Sequence, residues 1–108
     1  MDELRNLAWK FQEAIETMAT STGSLQDRLW QAWVSHLASL DDRGFPDDLR
    51  DEWLMLRDVV TAKEAIGTGS KYQATCQAMS DEEAHDVAEL TVRLAGKLRR
   101  ASQEQSAQ

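Results

Sequence analysis

The sequence predicts an all-α fold, a compact bundle of four main helices at about residues 2–20, 25–40, 46–65 and 81–100, plus a short helix near 71–78. Three observations lead there. Apolar residues recur with a helical beat in each long segment. One proline and five glycines in 108 residues favour a few long elements over many short strands. Helix-start and helix-stop residues sit at the segment boundaries. With 42% apolar residues the chain can bury one real core, and its length makes a second one unexpected. Residues 1–101 are therefore read as a single bundle domain, and 102–108 as a polar C-terminal tail with nothing to bury.

In the first helix Leu4, Leu7, Ala8, Phe11, Ala14, Ile15, Met18 and Ala19 fall within an arc of roughly 140° at 100° per residue. Thr20 to Gly23 ends it, the glycine supplying the left-handed backbone that helix ends prefer. Ser24 caps the second helix by accepting from the Asp27 amide. Its apolar arc, from Leu25 and Leu29 through Trp33, Leu37 and Leu40 to Trp30 and Val34, spans about 200°, so it should touch neighbours on two sides.

Asp41 to Phe45 reads as a turn, with Pro46 at the first position of the third helix and Asp47 and Asp48 in its first turn. Leu49, Trp53, Leu56 and Val60 form its stripe, which Met55, Val59 and Ala62 are expected to widen, and Gly67-Thr68-Gly69 closes it. Ser70 to Met79 suits a short helix with Tyr72, Cys76 and Met79 facing inward. Ser80 and Glu83 have capping-box spacing at the start of the last helix. That helix buries Ala84, Val87, Ala88, Thr91, Leu94, Ala95 and Leu98, and ends on Lys97, Arg99 and Arg100.

A net charge of −7 argues against nucleic acid as a direct partner, since phosphate binding needs clustered cations. No run approaches the roughly 20 apolar residues of a membrane span. Met1 to Arg5 lacks the basic start and apolar core of a secretion signal, and the lone Cys76 suits a reducing compartment. A cytoplasmic location without membrane association is expected.

The residue types that could carry chemistry have structural readings. His36 lies inside the apolar arc of the second helix, as a hydrogen-bonded core histidine would, and His85 points to the surface near Glu89. Glu82 and His85 have the Glu-x-x-His spacing of a metal-binding helix face, but the second copy used by di-iron bundles is missing. The acids at 41–52 lack calcium-loop spacing. Gly67 to Lys71 lacks the spacing and preceding strand of a phosphate loop. Cys76 reads as a small buried hydrophobe. No enzyme, metal or cofactor is expected.

Two large residues fall outside the core stripes, Trp9 among Arg5, Gln12 and Glu16, and Leu54 among Arg50, Arg57 and Asp58. Together with Trp30 and Val34 at the edge of the broad arc, they make a candidate protein interface. The expected function is a non-enzymatic protein–protein interaction or accessory module, acting on another protein or on itself as a homodimer. The alternatives are an acidic inhibitor, for example of mobile-element origin, that occupies a partner's basic nucleic-acid-binding surface, and a metal-binding bundle built on Glu82, His85, His36 or Cys76.

Three stretches, Gly23 to Leu29 (GSLQDRL), Phe45 to Arg50 (FPDDLR) and Ala78 to Ala84 (AMSDEEA), in that order resemble a set of small, uncharacterised bacterial all-helical proteins over about residues 23–95. The resemblance implies a helical fold and a bacterial cytoplasmic origin. It carries no activity, ligand or functional residue.

Overall fold

The structure is a computed structural model that describes residues 3–63 and 70–106, with the side chains of 105 and 106 left aside. Its described residues form five helices and no strand: α1 (Glu3–Thr20), α2 (Leu25–Ala32), α3 (Asp47–Val60), α4 (Lys71–Gln77) and α5 (Asp81–Ser106). The all-α bundle expected from the apolar periodicity is what the chain adopts.

α1 packs most extensively on α5, and α2 lies against α1, α4 and α5. The broad apolar arc of α2 therefore does meet more than one neighbour. α3 covers α5 and α4 from the other side. At one end Gln26, just inside α2, donates to Asp81 at the start of α5 (2.9 Å) and to the Met79 carbonyl (3.1 Å). Since α2 begins where α1 has just ended, α5 starts beside the C-terminus of α1, and the two helices run antiparallel.

Local chemistry sets most of the boundaries. Ser24 accepts from the Asp27 amide, and Gly23 holds φ +106°, a conformation costly for side chains with a Cβ. Ser70 caps α4 by accepting from the Gln73 amide. Ser80 and Glu83 form the reciprocal capping box: the Ser80 amide donates to the Glu83 carboxylate (2.9 Å) and the Glu83 amide to the Ser80 hydroxyl (3.1 Å). The bond from the Ser80 amide, helped by the Ser80 hydroxyl, holds the Glu83 carboxyl below its ordinary pKa. Ser80→Ala is expected to cost about 1 kcal/mol, read as a lower midpoint in urea unfolding.

Several boundaries differ from the periodicity. The second helix does not run as α to residue 40. It converts at Trp33–Leu37 into a π turn, with the Ala38 amide donating to the Trp33 carbonyl at 2.7 Å. Pro46 is the N-cap of α3 and not its first helical residue, because its ψ of 148° is extended. Its carbonyl accepts from the Leu49 and Arg50 amides. α3 stops at Val60, five residues short of the expected end, where Thr61 leaves helical backbone and its hydroxyl donates to the Arg57 carbonyl. The closing Gly67-Thr68-Gly69 lies outside the described residues. α5 continues to Ser106, so most of the expected tail is helical.

The core is built around stacked aromatic rings. Phe45 stacks on Trp53 (4.7 Å between centroids), Trp53 on Trp33 (5.4 Å), and Trp33 on Tyr72 (6.1 Å), while Phe11 meets Phe45 and Trp53 edge-on. Trp33, Trp53 and Phe11 are fully buried. This ladder ties α1, the π turn, α3 and α4 together. Phe45 was expected in a turn, and its ring is core although its backbone is loop. Arg50 secures that loop by donating to the Asp42 and Phe45 carbonyls and to the Asp47 carboxylate.

Candidate functional site

Of the four residues expected at an interface, the fold exposes two. Trp9 is 55% and Val34 41% exposed. Trp30 and Leu54 are half-buried and pack against the core. The exposure expected of Leu54 is thus corrected. α4 packs on α3, and the charge of Arg57 reaches Tyr72 of α4. Leu54 lies about 60° from the half-buried Arg57 around the helix, on the same flank. The complementary error falls on the opposite flank, where Met55 and Val59, expected inside, are 52% and 43% exposed. The buried sector of α3 is rotated toward Leu54 and away from Met55 relative to the one expected from its apolar residues alone.

Trp9 does not stand by itself. It borders an open groove of about 440 Å³ between α1 and α5, whose floor is Ala8, Ile15 and Ala95 and whose far wall carries Val92, itself 48% exposed. Val92 was not singled out from the sequence; its place beside Trp9 depends on the pairing of α1 with α5. Gly96 also lines the groove, and a Cβ built there would meet no atom within 4 Å, so the α5 wall is notched. Arg5, Gln12 and Arg99 rim the groove. The Lys10 ammonium lies 5.3 Å from the Trp9 ring centroid.

A second groove, of about 450 Å³, lies among α3, α4 and α5 between Val59, Ala62, Met79 and Leu90. A third opening, beside Glu3, Lys10, Asp41 and Arg43, is more polar and contains the Asp41–Arg43 ion pair (2.8 Å). The hydrogen bonds and charge from Arg43 hold the Asp41 carboxyl down at about 2.

The groups with reactive potential are placed apart. His36 is half-buried, not fully in the core, and its Nε2 lies 2.9 Å from the Thr17 hydroxyl. His85 and Glu82 are exposed on α5. Cys76 is fully buried, and loss of hydration pushes its thiol up to about 12. Among the described residues no group of three or more His, Cys, Asp or Glu is placed to hold a metal ion, and no helix is long and apolar enough to cross a membrane. Several carboxylates are engaged in ion pairs, Asp47 with Arg50 and Glu89 with Arg93 within one helix, and Glu52 with Lys97 between α3 and α5.

Comparison of the chain with protein-family models, with curated proteins and with solved structures finds no match.

Proposed function

We propose that this chain is a non-enzymatic protein–protein interaction module, and that α1 and α5 present its binding face. The observation that carries this reading is Trp9, more than half exposed beside the exposed Val92 over an apolar-floored groove. A tryptophan left in water forgoes a large burial energy, and tryptophan is enriched among residues that dominate protein interfaces. The chemistry of Cys76 points the same way: a thiol that burial holds protonated is a poor nucleophile. A cytoplasmic setting fits that single buried thiol, and neither nucleic acid nor a membrane is a partner in this reading.

The test is affinity capture from the native cell with the wild-type chain, Trp9→Ala, and Met55→Ser as a control for an exposed apolar residue on another face. The expected result is a specific co-purifying protein, or a second copy, retained by wild type and Met55→Ser and lost from Trp9→Ala. Equal recovery by all three would overturn the proposal.

A further inference from the structure

The cations of this chain are unevenly spread. From residue 90 to 103 there is no carboxylate, yet four of the 12 Lys and Arg residues fall there, Arg93, Lys97, Arg99 and Arg100, in a chain of net charge −7. A helix ending near residue 100 would account for them through its macrodipole, whose effect is confined to the last turn. α5 instead runs on to Ser106 with no basic residue in its last turn, so the macrodipole does not account for Arg99 and Arg100.

Most of the nearby cations are already occupied. Arg93 pairs with Glu89 (3.1 Å) and Lys97 with Glu52 (2.8 Å). Across the groove Arg5 is engaged within the chain, and Lys10 lies against the Trp9 ring. Arg99 and Arg100 are exposed, and neither pairs with a carboxylate among the described residues.

Their placement ties these two charges to the groove. At 100° per residue, Arg99 and Arg100 fall about 60° and about 40° to either side of Gly96 around α5. Gly96 and Arg99 border the apolar-floored groove beside Trp9, and the same two residues, with Arg100, border a shallow opening on the far side of Gly96. The two hollows share the Gly96 notch as a saddle. A side chain entering the notch therefore has Ala8, Ala95 and Trp9 to one side and two unpaired guanidinium groups at its rim.

An occupant of this surface needs an apolar side chain for the notch and carboxylates set beside it. From Arg5 to Ile15 the groove follows α1 for about 15 Å, roughly three helical turns. An amphipathic helix supplies the combination, with apolar residues three and four apart and acids on neighbouring positions. We infer that the α1/α5 groove receives an acidic amphipathic helix of another protein, with an apolar side chain in the Gly96 notch against Trp9 and carboxylates on Arg99 and Arg100. This rests on the interaction reading above and gives the partner its chemistry. A nucleic acid, an anionic lipid surface or a second copy would extend past the patch and meet the acidic remainder of the chain. A short acidic helix meets mainly the local cations, because salt screens charges beyond about 8 Å.

The experiment is selection from a displayed library of helical peptides of about 14 residues, long enough for the groove. Selected peptides are then titrated into the chain, coverage of Trp9 being read as a shift of its emission to shorter wavelength. They are expected to combine apolar residues at helical spacing with neighbouring Asp or Glu. Gly96→Gln fills the notch from a Cβ that meets no atom within 4 Å, so the fold should tolerate it. That variant and Arg99→Glu/Arg100→Glu should each weaken binding about ten-fold or more with helicity unchanged by circular dichroism. Met55→Ser, on another face, should bind as wild type does. Selected peptides without acids, binding indifferent to Gly96→Gln or to the charge reversal, or no selection at all would each overturn the inference. A Trp9 shift produced only by phosphatidylglycerol vesicles, or only by concentrating the chain itself, would assign the groove to a membrane or a second copy and overturn it too. If the inference fails while capture still loses a protein from Trp9→Ala, the interaction reading stands and only the acidic helix is removed. If capture is also indifferent, both fall.

Discussion

Replacing Trp53 with alanine is expected to bring the chain to the edge of unfolding. The side chain is fully buried, and it is the one ring in contact with Phe11, Phe45 and Trp33. Truncating a core tryptophan removes its transfer energy and leaves a cavity, together about 3–5 kcal/mol. A domain of this size has about 5–15 kcal/mol in all. Urea unfolding should show a sharply lower midpoint, with much of the near-ultraviolet dichroism of the stacked indoles lost before denaturant is added. Trp53→Phe should be far milder. The indole N–H groups of Trp53, Trp33 and Trp30 are buried with no acceptor among the described residues, and an unsatisfied buried donor costs about 1–3 kcal/mol. Phenylalanine keeps a stacking ring and removes that liability. A Trp53→Phe loss as large as that of Trp53→Ala would show that the indole itself, and not ring stacking, holds the ladder.

Cys76 should be almost inert to thiol reagents in the native protein and react at an ordinary rate once unfolded. Its thiol titrates near 12 where an unburied one titrates near 9, which lowers the thiolate fraction at pH 8 by about three orders of magnitude. Enclosure adds steric protection, so labelling should track the opening of α4. The same shift has a pH consequence. The folded state keeps its proton between about 9 and about 12, while the unfolded state releases its own, so stability contributed by this group is intact below that window and falls as pH rises through it. The slope is on the order of 1 kcal/mol per pH unit. Cys76→Ala should be less stable at neutral pH yet lose this alkaline slope, which urea midpoints across the window would reveal. An unchanged slope would assign the alkaline sensitivity to other groups, Tyr72 first, since burial raises its phenol too.

Much of this fold was legible because its signals are local. Ser24 and the Ser80–Glu83 box act within one turn of their own backbone, so residue type and spacing specify them. The errors arose where a distant element decides. Nothing within 33–37 marks a π turn; there Trp33 stacks between Trp53 and Tyr72, and His36 bonds to Thr17 on α1. Whether Leu54 or Met55 faces water depends on which flank of α3 the rest of the fold covers, and helical spacing alone does not specify a neighbour. The site divides the same way. Trp9 stood out by lying off its own helix's stripe, whereas Val92 and the Gly96 notch acquired meaning only once α5 was laid against α1.

The placement of the indoles gives the protein a built-in optical probe. Three of the four tryptophans are packed into or against the core, and one stands largely in solvent. A small collisional quencher such as acrylamide will therefore draw its effect chiefly from Trp9, and the quenchable share of emission measures how much of the α1/α5 face is covered. Whatever settles on that face can be followed in the native chain by its own fluorescence, with no dye attached and no residue changed.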